Sequence, residues 1–163
     1  MNFKKTGRTG NAQSTFTTYE TTIDARVFQQ LPVSRRQERE INMSSILIID
    51  DDPLVRNMLS QFFAIEGYAT IEASNGKEGL RMYREQQADL VVTDMIMPEM
   101  DGLETIQALR KENPDAKIIA ISGGGRNSPG DYLVLADHFG ANRTFAKPVE
   151  RSKLLAAAQE LLD

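Results

Sequence analysis

Five short apolar runs, each followed by a helix-length amphipathic stretch, constrain this chain more than any other feature. The first is Ile46-Leu47-Ile48-Ile49, ending at Asp50-Asp51-Asp52. The second is Tyr68 to Ala73, and the third is Leu90-Val91-Val92-Thr93, ending on Asp94. The fourth is Lys117 to Ile121, ending on Ser122; the fifth is Arg143 to Ala146, ending on Lys147-Pro148. Brief, β-branched, continuously apolar runs suit strands buried on both faces of a parallel sheet. Strands that alternate with helices imply right-handed crossovers and helices on both faces of that sheet.

The intervening stretches carry helix signals. Pro53 suits a first helical position with Asp52 as its cap. Leu54, Met58, Leu59, Phe62, Phe63 and Ile65 are expected to face inward from that helix, which ends at Gly67. Asn75-Gly76 turns the chain into a second helix carrying Leu80 and Tyr83. Leu103, Ile106, Ala108 and Leu109 mark a third, stopped by Asn113-Pro114. Asp131 to Phe139 reads as a fourth, ended by Gly140. Residues 150–162 read as a fifth, with Leu154, Leu155, Ala158, Leu161 and Leu162 facing in.

The 163 residues leave room for one ordinary domain and a tail. Cysteine is absent and His138 is the single histidine, which excludes a disulfide framework, a thiolate metal site and multi-histidine ligation. No apolar run approaches a membrane span, and the basic start lacks the apolar segment of a secretory signal. A cytoplasmic protein is expected. Residues 1–42 carry a net charge of +3 and residues 43–163 a net charge of −7. The acidic body argues against nucleic acid as a direct ligand. Residues 1–43 are polar, with sparse apolar positions (Ile23, Val27, Phe28, Leu31) and a basic cluster at Arg35, Arg36 and Arg39. They read as a disordered leader or a non-native upstream start, with a basic docking arm as the alternative. The folded domain is expected over residues 44–163.

The residues that end the strands make a set. In open α/β sheets, ligands bind at the carboxyl ends of the strands. Here those ends carry Asp50 and Asp51, then Asp94, Ser122 and Lys147, so three carboxylates, a hydroxyl and an ammonium are expected at one rim. Two carboxylates about 4 Å apart repel by about 4 kcal/mol at an effective dielectric near 20, so the cluster calls for a divalent cation. Mg²⁺ suits it best, because it takes a few carboxylates and keeps other positions for water and phosphoryl oxygens. An aspartate oxygen can then attack a phosphorus in line, with Lys147 and Ser122 contacting the phosphoryl oxygens, to give an aspartyl phosphate. Taken singly, Asp94 also reads as an aspartate that caps a turn.

Ile-Ile-Asp50-Asp51-Asp52-Pro53, then Thr93-Asp94-Met-Ile-Met-Pro98-Glu-Met-Asp101-Gly102, then Ser122, then Phe-Ala-Lys147-Pro148, resembles the receiver domain of bacterial two-component response regulators, stand-alone type. The resemblance implies a flavodoxin-like, doubly wound, five-stranded parallel sheet in the order 2-1-3-4-5 with five helices, a three-layer α/β/α fold. It implies that Asp94 accepts phosphate from a sensor histidine kinase or histidine phosphotransfer protein. Asp51 would bind Mg²⁺ directly, Asp50 largely through water, and Asp94 and the backbone carbonyl of Ile96 would complete the protein ligands. Ser122 takes the place of the switch hydroxyl and Lys147 that of the phosphate-contacting lysine, and the Lys147–Pro148 bond would be cis. Output is expected through a downstream protein target on the helix 4–strand 5–helix 5 face, with no direct DNA binding. A phosphorylation-dependent homodimer is compatible with the same face. The chain ends after its fifth helix, so no output domain is expected to follow.

Some positions depart from the pattern. Thr144 stands where many receivers carry an aromatic switch residue, and Phe145, one position later, is expected to face the other way. Ile96 and Gly124 occupy two positions that in the family tune phosphoaspartate hydrolysis. Neither can orient a water, so slow self-dephosphorylation is expected. The Gly123–Gly130 loop lacks the following Lys-Ser/Thr of a P-loop and reads as a hinge or plain connection. His138 is expected to be structural, near a helix C-terminus.

Three other functions compete with this reading. A Mg²⁺-dependent phosphohydrolase would need a general acid at position 96, where Ile stands. A flavin or nucleotide binder would need a Gly/Ser/Thr-rich loop where Asp50-Asp51-Asp52-Pro53 stands. A phosphate-independent adaptor keeps only the fold; Thr144 speaks for it and the intact acidic set against it.

Overall fold

The computed structural model describes residues 44–123 and 129–163. The expected leader over residues 1–43, its apolar positions, and Gly124 lie outside the described residues. The elements alternate as expected: β1 (Ser45–Ile49), α1 (Pro53–Ile65), β2 (Ala69–Ala73), α2 (Gly76–Gln86), β3 (Leu90–Asp94), α3 (Gly102–Glu112), β4 (Ile118–Ser122), α4 (Pro129–His138), β5 (Arg143–Ala146) and α5 (Arg151–Leu162). The five strands form one parallel sheet in the order β2-β1-β3-β4-β5. With five helices among the described residues, this is the flavodoxin-like fold.

Side-chain alternation divides the strands between two cores. Leu47, Ile49, Val91, Ile118 and Ala120 face one layer of helices, where Leu80 of α2, Ile106 and Leu109 of α3 and Ala136 of α4 meet them. Ile46, Ile48, Val92, Ile119 and Ile121 face the other, closed by Leu59 and Phe63 of α1 and Leu154 and Ala158 of α5. Every position of β3 and β4 is buried, whereas the edge strands β2 and β5 are half-covered. This explains the continuous apolar runs: a central strand covered on both faces has no position to spare for water. The helices α2–α4 on one face and α1 with α5 on the other complete three layers.

Local signals set the ends. The Asp52 carboxylate accepts the Leu54 N–H and Pro53 opens α1. Asn75 caps α2, and Asp101 with Glu104 forms a reciprocal capping box on α3. Element ends differ from expectation by one or two residues. The second strand begins at Ala69, the fourth runs through Ser122, α4 starts at Pro129, and α5 starts at Arg151. His138 ends α4 and stacks edge-on against Phe139.

The inward face of α1 needs correction. Leu59 and Phe63 are buried and Val55 and Phe62 pack beside them, but Leu54, Met58 and Ile65 are exposed, Leu54 by 79%. A helix touches a sheet along one stripe only. Leu54, Met58 and Ile65 form a second apolar stripe beside the buried one, turned toward water. On α5, Leu154 and Ala158 are buried as expected, Ala157 joins them, and Leu155, Leu161 and Leu162 are partly covered. Among the described residues no helix is long and apolar enough to cross a membrane.

Candidate functional site at the strand ends

Register brings the candidate residues to one rim. Asp94 ends β3 opposite Ile121, and Ser122 ends β4 opposite Ala146, so Lys147 follows directly beside Ser122. The Lys147 amide donates to the Ser122 carbonyl at 2.8 Å, and the Lys147–Pro148 peptide is cis. The lysine stem then lies along Gly123, where an added Cβ would stand 3.4 Å from Lys147 Cδ. Its ammonium ends between two carboxylates, 2.6 Å from Asp94 Oδ1 and 3.0 Å from Asp50 Oδ2.

The three consecutive aspartates after β1 have different surroundings. Asp50 is 2% exposed; besides Lys147, its carboxylate accepts the Asp52 amide at 2.9 Å. Asp51 is exposed. Asp52 caps α1. The expected convergence of three carboxylates is therefore narrower: Lys147 joins Asp50 and Asp94, and no group of three or more acidic or histidine side chains gathers as a metal cage among the described residues. The physical reason is that the half-buried Lys147 ammonium draws in two carboxylates, while Asp51, next along the chain, is exposed to water.

Asp94 is 6% exposed, and its second oxygen accepts the Ile96 amide at 2.7 Å. The loop beyond it is braced. Gly76 N–H donates to the Met100 carbonyl and Gly102 N–H to the Met95 carbonyl, both at 3.2 Å. An added Cβ on Gly102 would stand 2.2 Å from the Asp94 carbonyl oxygen, so only glycine lets α3 start this close to the aspartate. Ser122 is fully buried. Thr144, opposite Ala120, is half-buried, and Phe145 packs on the α1/α5 core, the opposite face by alternation. Ile96, two residues beyond Asp94, is exposed.

The charges are unbalanced. Burial pushes the Asp50 carboxyl above its ordinary range; the Lys147 hydrogen bond and charge and the Asp52 amide oppose this without cancelling it, and the nearby Asp94 adds to it. Burial alone would lower the Lys147 ammonium, but hydrogen bonds and charge from Asp94 and Asp50 outweigh it and hold the group above its usual value. Both partners of one ion pair thus shift upward, because Asp50 is the more deeply enclosed. Three carboxylates against one ammonium leave a formal −2 at the rim.

That surplus, and an all-oxygen donor set, fit a hard divalent cation. Mg²⁺ is usually held by one or two carboxylates with waters and phosphoryl oxygens, so a three-carboxylate cage is not required. Asp50, Asp51 and Asp94 are the rim carboxylates that could ligate it. A surface cavity of about 590 Å³ lies at the opposite end of the sheet around Tyr83, Asp89, Glu112 and Lys117, away from these charges. A smaller apolar groove of about 250 Å³ runs from Lys147 and Pro148 past Met58 and Phe62.

Sequence reasoning missed one residue here. Arg56 of α1 donates to the Asp50 backbone carbonyl at 2.7 Å. The available signal is a cation near a helix N-terminus, where the helix dipole disfavours it.

Comparison with known proteins agrees with this fold. Residues 46–159 match the response regulator receiver domain. The chain is 34% identical over 117 residues to the chemotaxis protein CheY of Thermotoga maritima, covering 71% of this chain and 95% of that protein. It is 31% identical to the transcriptional regulatory protein GlrR of Escherichia coli over 72% of this chain, but spans only 26% of GlrR. Among solved structures, a response regulator receiver domain protein from Clostridium thermocellum superposes with a TM-score of 0.69 at 30% identity, covering 74% of this chain and 94% of that one. The response regulator TrrA from Thermotoga maritima, solved with Mg²⁺-BeF, gives 0.66 at 32% identity over 74% of this chain and all of that one.

Proposed function

The chain belongs to the response regulator receiver domain family, and on that premise we propose that it is a phosphoacceptor switch with Asp94 as the acceptor. The single observation that carries this reading is the Lys147 ammonium seated between Asp94 and Asp50, on an all-oxygen rim with surplus negative charge. The donor is a sensor histidine kinase or a histidine phosphotransfer protein, and the setting is the cytoplasm.

In the proposed step, a carboxylate oxygen of Asp94 attacks the phosphorus of a donor phosphohistidine. The O–P bond forms as the P–N bond breaks, and the electron pair stays on the departing imidazole. The Ile96 N–H fixes the Asp94 carboxylate plane before the attack. Lys147 exchanges a carboxylate for a phosphoryl oxygen, so the charge it offsets moves outward with the phosphoryl group. Mg²⁺, when bound by Asp51, Asp50, Asp94 and the Ile96 carbonyl, supplies charge neutralisation at those oxygens.

The output is conformational. The Ser122 carbonyl is tied to the Lys147 amide, so a shift of the lysine is felt at the ends of β4 and β5. The α4–β5–α5 face presents exposed Val134, Leu135 and Phe139 to a protein target, or to a second copy when phosphorylated. Thr144 in place of a ring makes this switch rest on the hydroxyl of Ser122 more than on a swinging aromatic group.

Acetyl phosphate labelling with and without Mg²⁺, read by intact mass on wild type and Asp94→Asn, tests the reading. A Mg²⁺-dependent gain of one phosphoryl group that Asp94→Asn lacks is the expected result. Labelling that survives in Asp94→Asn would sink the assignment. Absence of both labelling and Mg²⁺ binding would leave the phosphate-independent adaptor.

A further inference from the structure

We propose that Arg56 is a positioning residue: it locks the backbone of Asp50 and thereby sets the affinity of the strand-end rim for a divalent cation. The inference rests on the Mg²⁺-assisted reading of that rim. Its basis is the way both polar backbone groups of Asp50 are tied to the end of β2. The Asp50 N–H donates directly to the Ala73 carbonyl at 3.2 Å. The Asp50 carbonyl accepts from an Arg56 terminal nitrogen at 2.7 Å, and Arg56 Nε lies 3.4 Å from the Glu72 carboxylate on the adjacent residue of β2.

The consequence is geometric. Asp50 follows the last residue of β1, and its carbonyl belongs to the peptide that leads into Asp51. Holding that carbonyl fixes the peptide plane, and with it the directions in which the buried Asp50 and the exposed Asp51 leave the backbone. A strand end that moves by an ångström would misplace both oxygens offered to a cation. Arg56 is well suited to the task. Its guanidinium is a planar fork that serves two acceptors at once, and its side chain is only 17% exposed. It also stands near the α1 N-terminus, where the helix dipole disfavours a cation, and no acidic residue in the first turn compensates. Outer partners that orient ligand groups typically change metal affinity by about 10–100-fold when removed.

The test is Mg²⁺ titration of the full chain, followed by ¹H–¹⁵N amide shifts of Asp51 and Ile96, for wild type, Arg56→Met, Arg56→Lys and Glu72→Gln. Spectra in EDTA establish that each variant is folded before metal is added. Arg56→Met is expected to weaken Mg²⁺ binding about tenfold or more. Arg56→Lys, which keeps the charge but not the fork, is expected to recover only part of that loss. Glu72→Gln keeps Arg56 but loosens its brace, and is expected to show a smaller loss; it serves in place of Arg56→Met if that variant fails to fold. Wild-type affinity in the folded variants overturns the proposal. Full recovery in Arg56→Lys also overturns it, since charge alone would then account for the effect. A wild type that binds no Mg²⁺ overturns the underlying reading and the proposal together, which separates that failure from the other two.

Discussion

Lys147 and Asp94 meet across the ends of two strands, with Nζ 2.6 Å from Oδ1, and the same ammonium is 3.0 Å from Asp50. Removing it in Lys147→Met leaves two nearly buried carboxylates facing each other. Breaking a buried pair costs about 3–5 kcal/mol, and the lysine is partly exposed, so a loss near the lower bound is expected in EDTA. Urea unfolding checks it. Mg²⁺ should restore part of the loss in Lys147→Met, and phosphate labelling should slow. Equal stability of wild type and variant in EDTA would contradict the assigned charge balance.

The pH dependence follows from the same triad. Asp50 has a folded-state pKa above its ordinary 3.8, so the stability it lends is fully present below that value and is lost as pH rises through the folded one. Asp50→Asn lacks this titration. Its stability relative to wild type is therefore expected to rise as pH climbs above about 3.8 and to level off once the folded-state carboxyl has ionised, measured by unfolding without metal. Lys147 has a raised pKa, so its contribution persists up to about 10.5 and fades only in more alkaline solution. A relative stability of Asp50→Asn that falls over the acid range would refute the sign.

Gly102→Ala probes the closeness of α3 to the acceptor. The new Cβ would meet the Asp94 carbonyl oxygen at 2.2 Å and Met95 Cα at 2.7 Å, both backbone atoms that cannot rotate away. Overpacking of this kind costs about 1–3 kcal/mol, and the loop must shift to relieve it. Labelling of Asp94 should fall with stability. Gly140→Ala, strained by its positive φ and remote from the rim, should cost stability with little change in labelling once folded. Parallel behaviour of the two variants would remove the special role of Gly102.

The register of α1 is tested by two truncations. Phe63 is fully buried and packs edge-on to Tyr68, so Phe63→Ala should cost about 3–5 kcal/mol. Leu54, exposed and outside any core cluster, should change stability by about 0.5 kcal/mol or less when made Ala. Denaturant unfolding of both separates the two stripes; comparable losses would turn the helix around.

This helix marks where the sequence stops being legible. The strands and the rim residues could be read because a buried strand has an apolar signature and ends at a polar residue, whereas the strand order 2-1-3-4-5 followed only from the family resemblance. Asp50, Asp94, Ser122 and Lys147 each fall one position past such a run. On α1, two apolar stripes lie side by side, and periodicity cannot say which one meets the sheet. The separate orientations of Asp50 and Asp51 were likewise hidden, since they depend on where Lys147 arrives from 97 residues away. Arg56 and Glu72 escaped notice because their pairing joins a helix to an edge strand and leaves no local spacing to recognise.

On the proposed phosphoacceptor reading, Ile96 is expected to set the lifetime of the aspartyl phosphate. Its backbone amide serves the Asp94 carboxylate, and the residue, two positions beyond Asp94, is 38% exposed. An aliphatic group there offers no donor or acceptor to hold a water in line with the phosphorus. Hydrolysis of the aspartyl phosphate should therefore be slow in the purified protein, with decay left to a phosphatase or to back-transfer. Ile96→Glu places a carboxylate at that spot without touching the amide. General-base assistance is worth about 100-fold when fully aligned, and a flexible, partly exposed side chain should reach about a tenth of that, so decay is expected to quicken about tenfold. Intact-mass time courses after removal of acetyl phosphate measure both lifetimes. Rapid loss in wild type, or no change in Ile96→Glu with labelling intact, would place control of the lifetime elsewhere in the molecule.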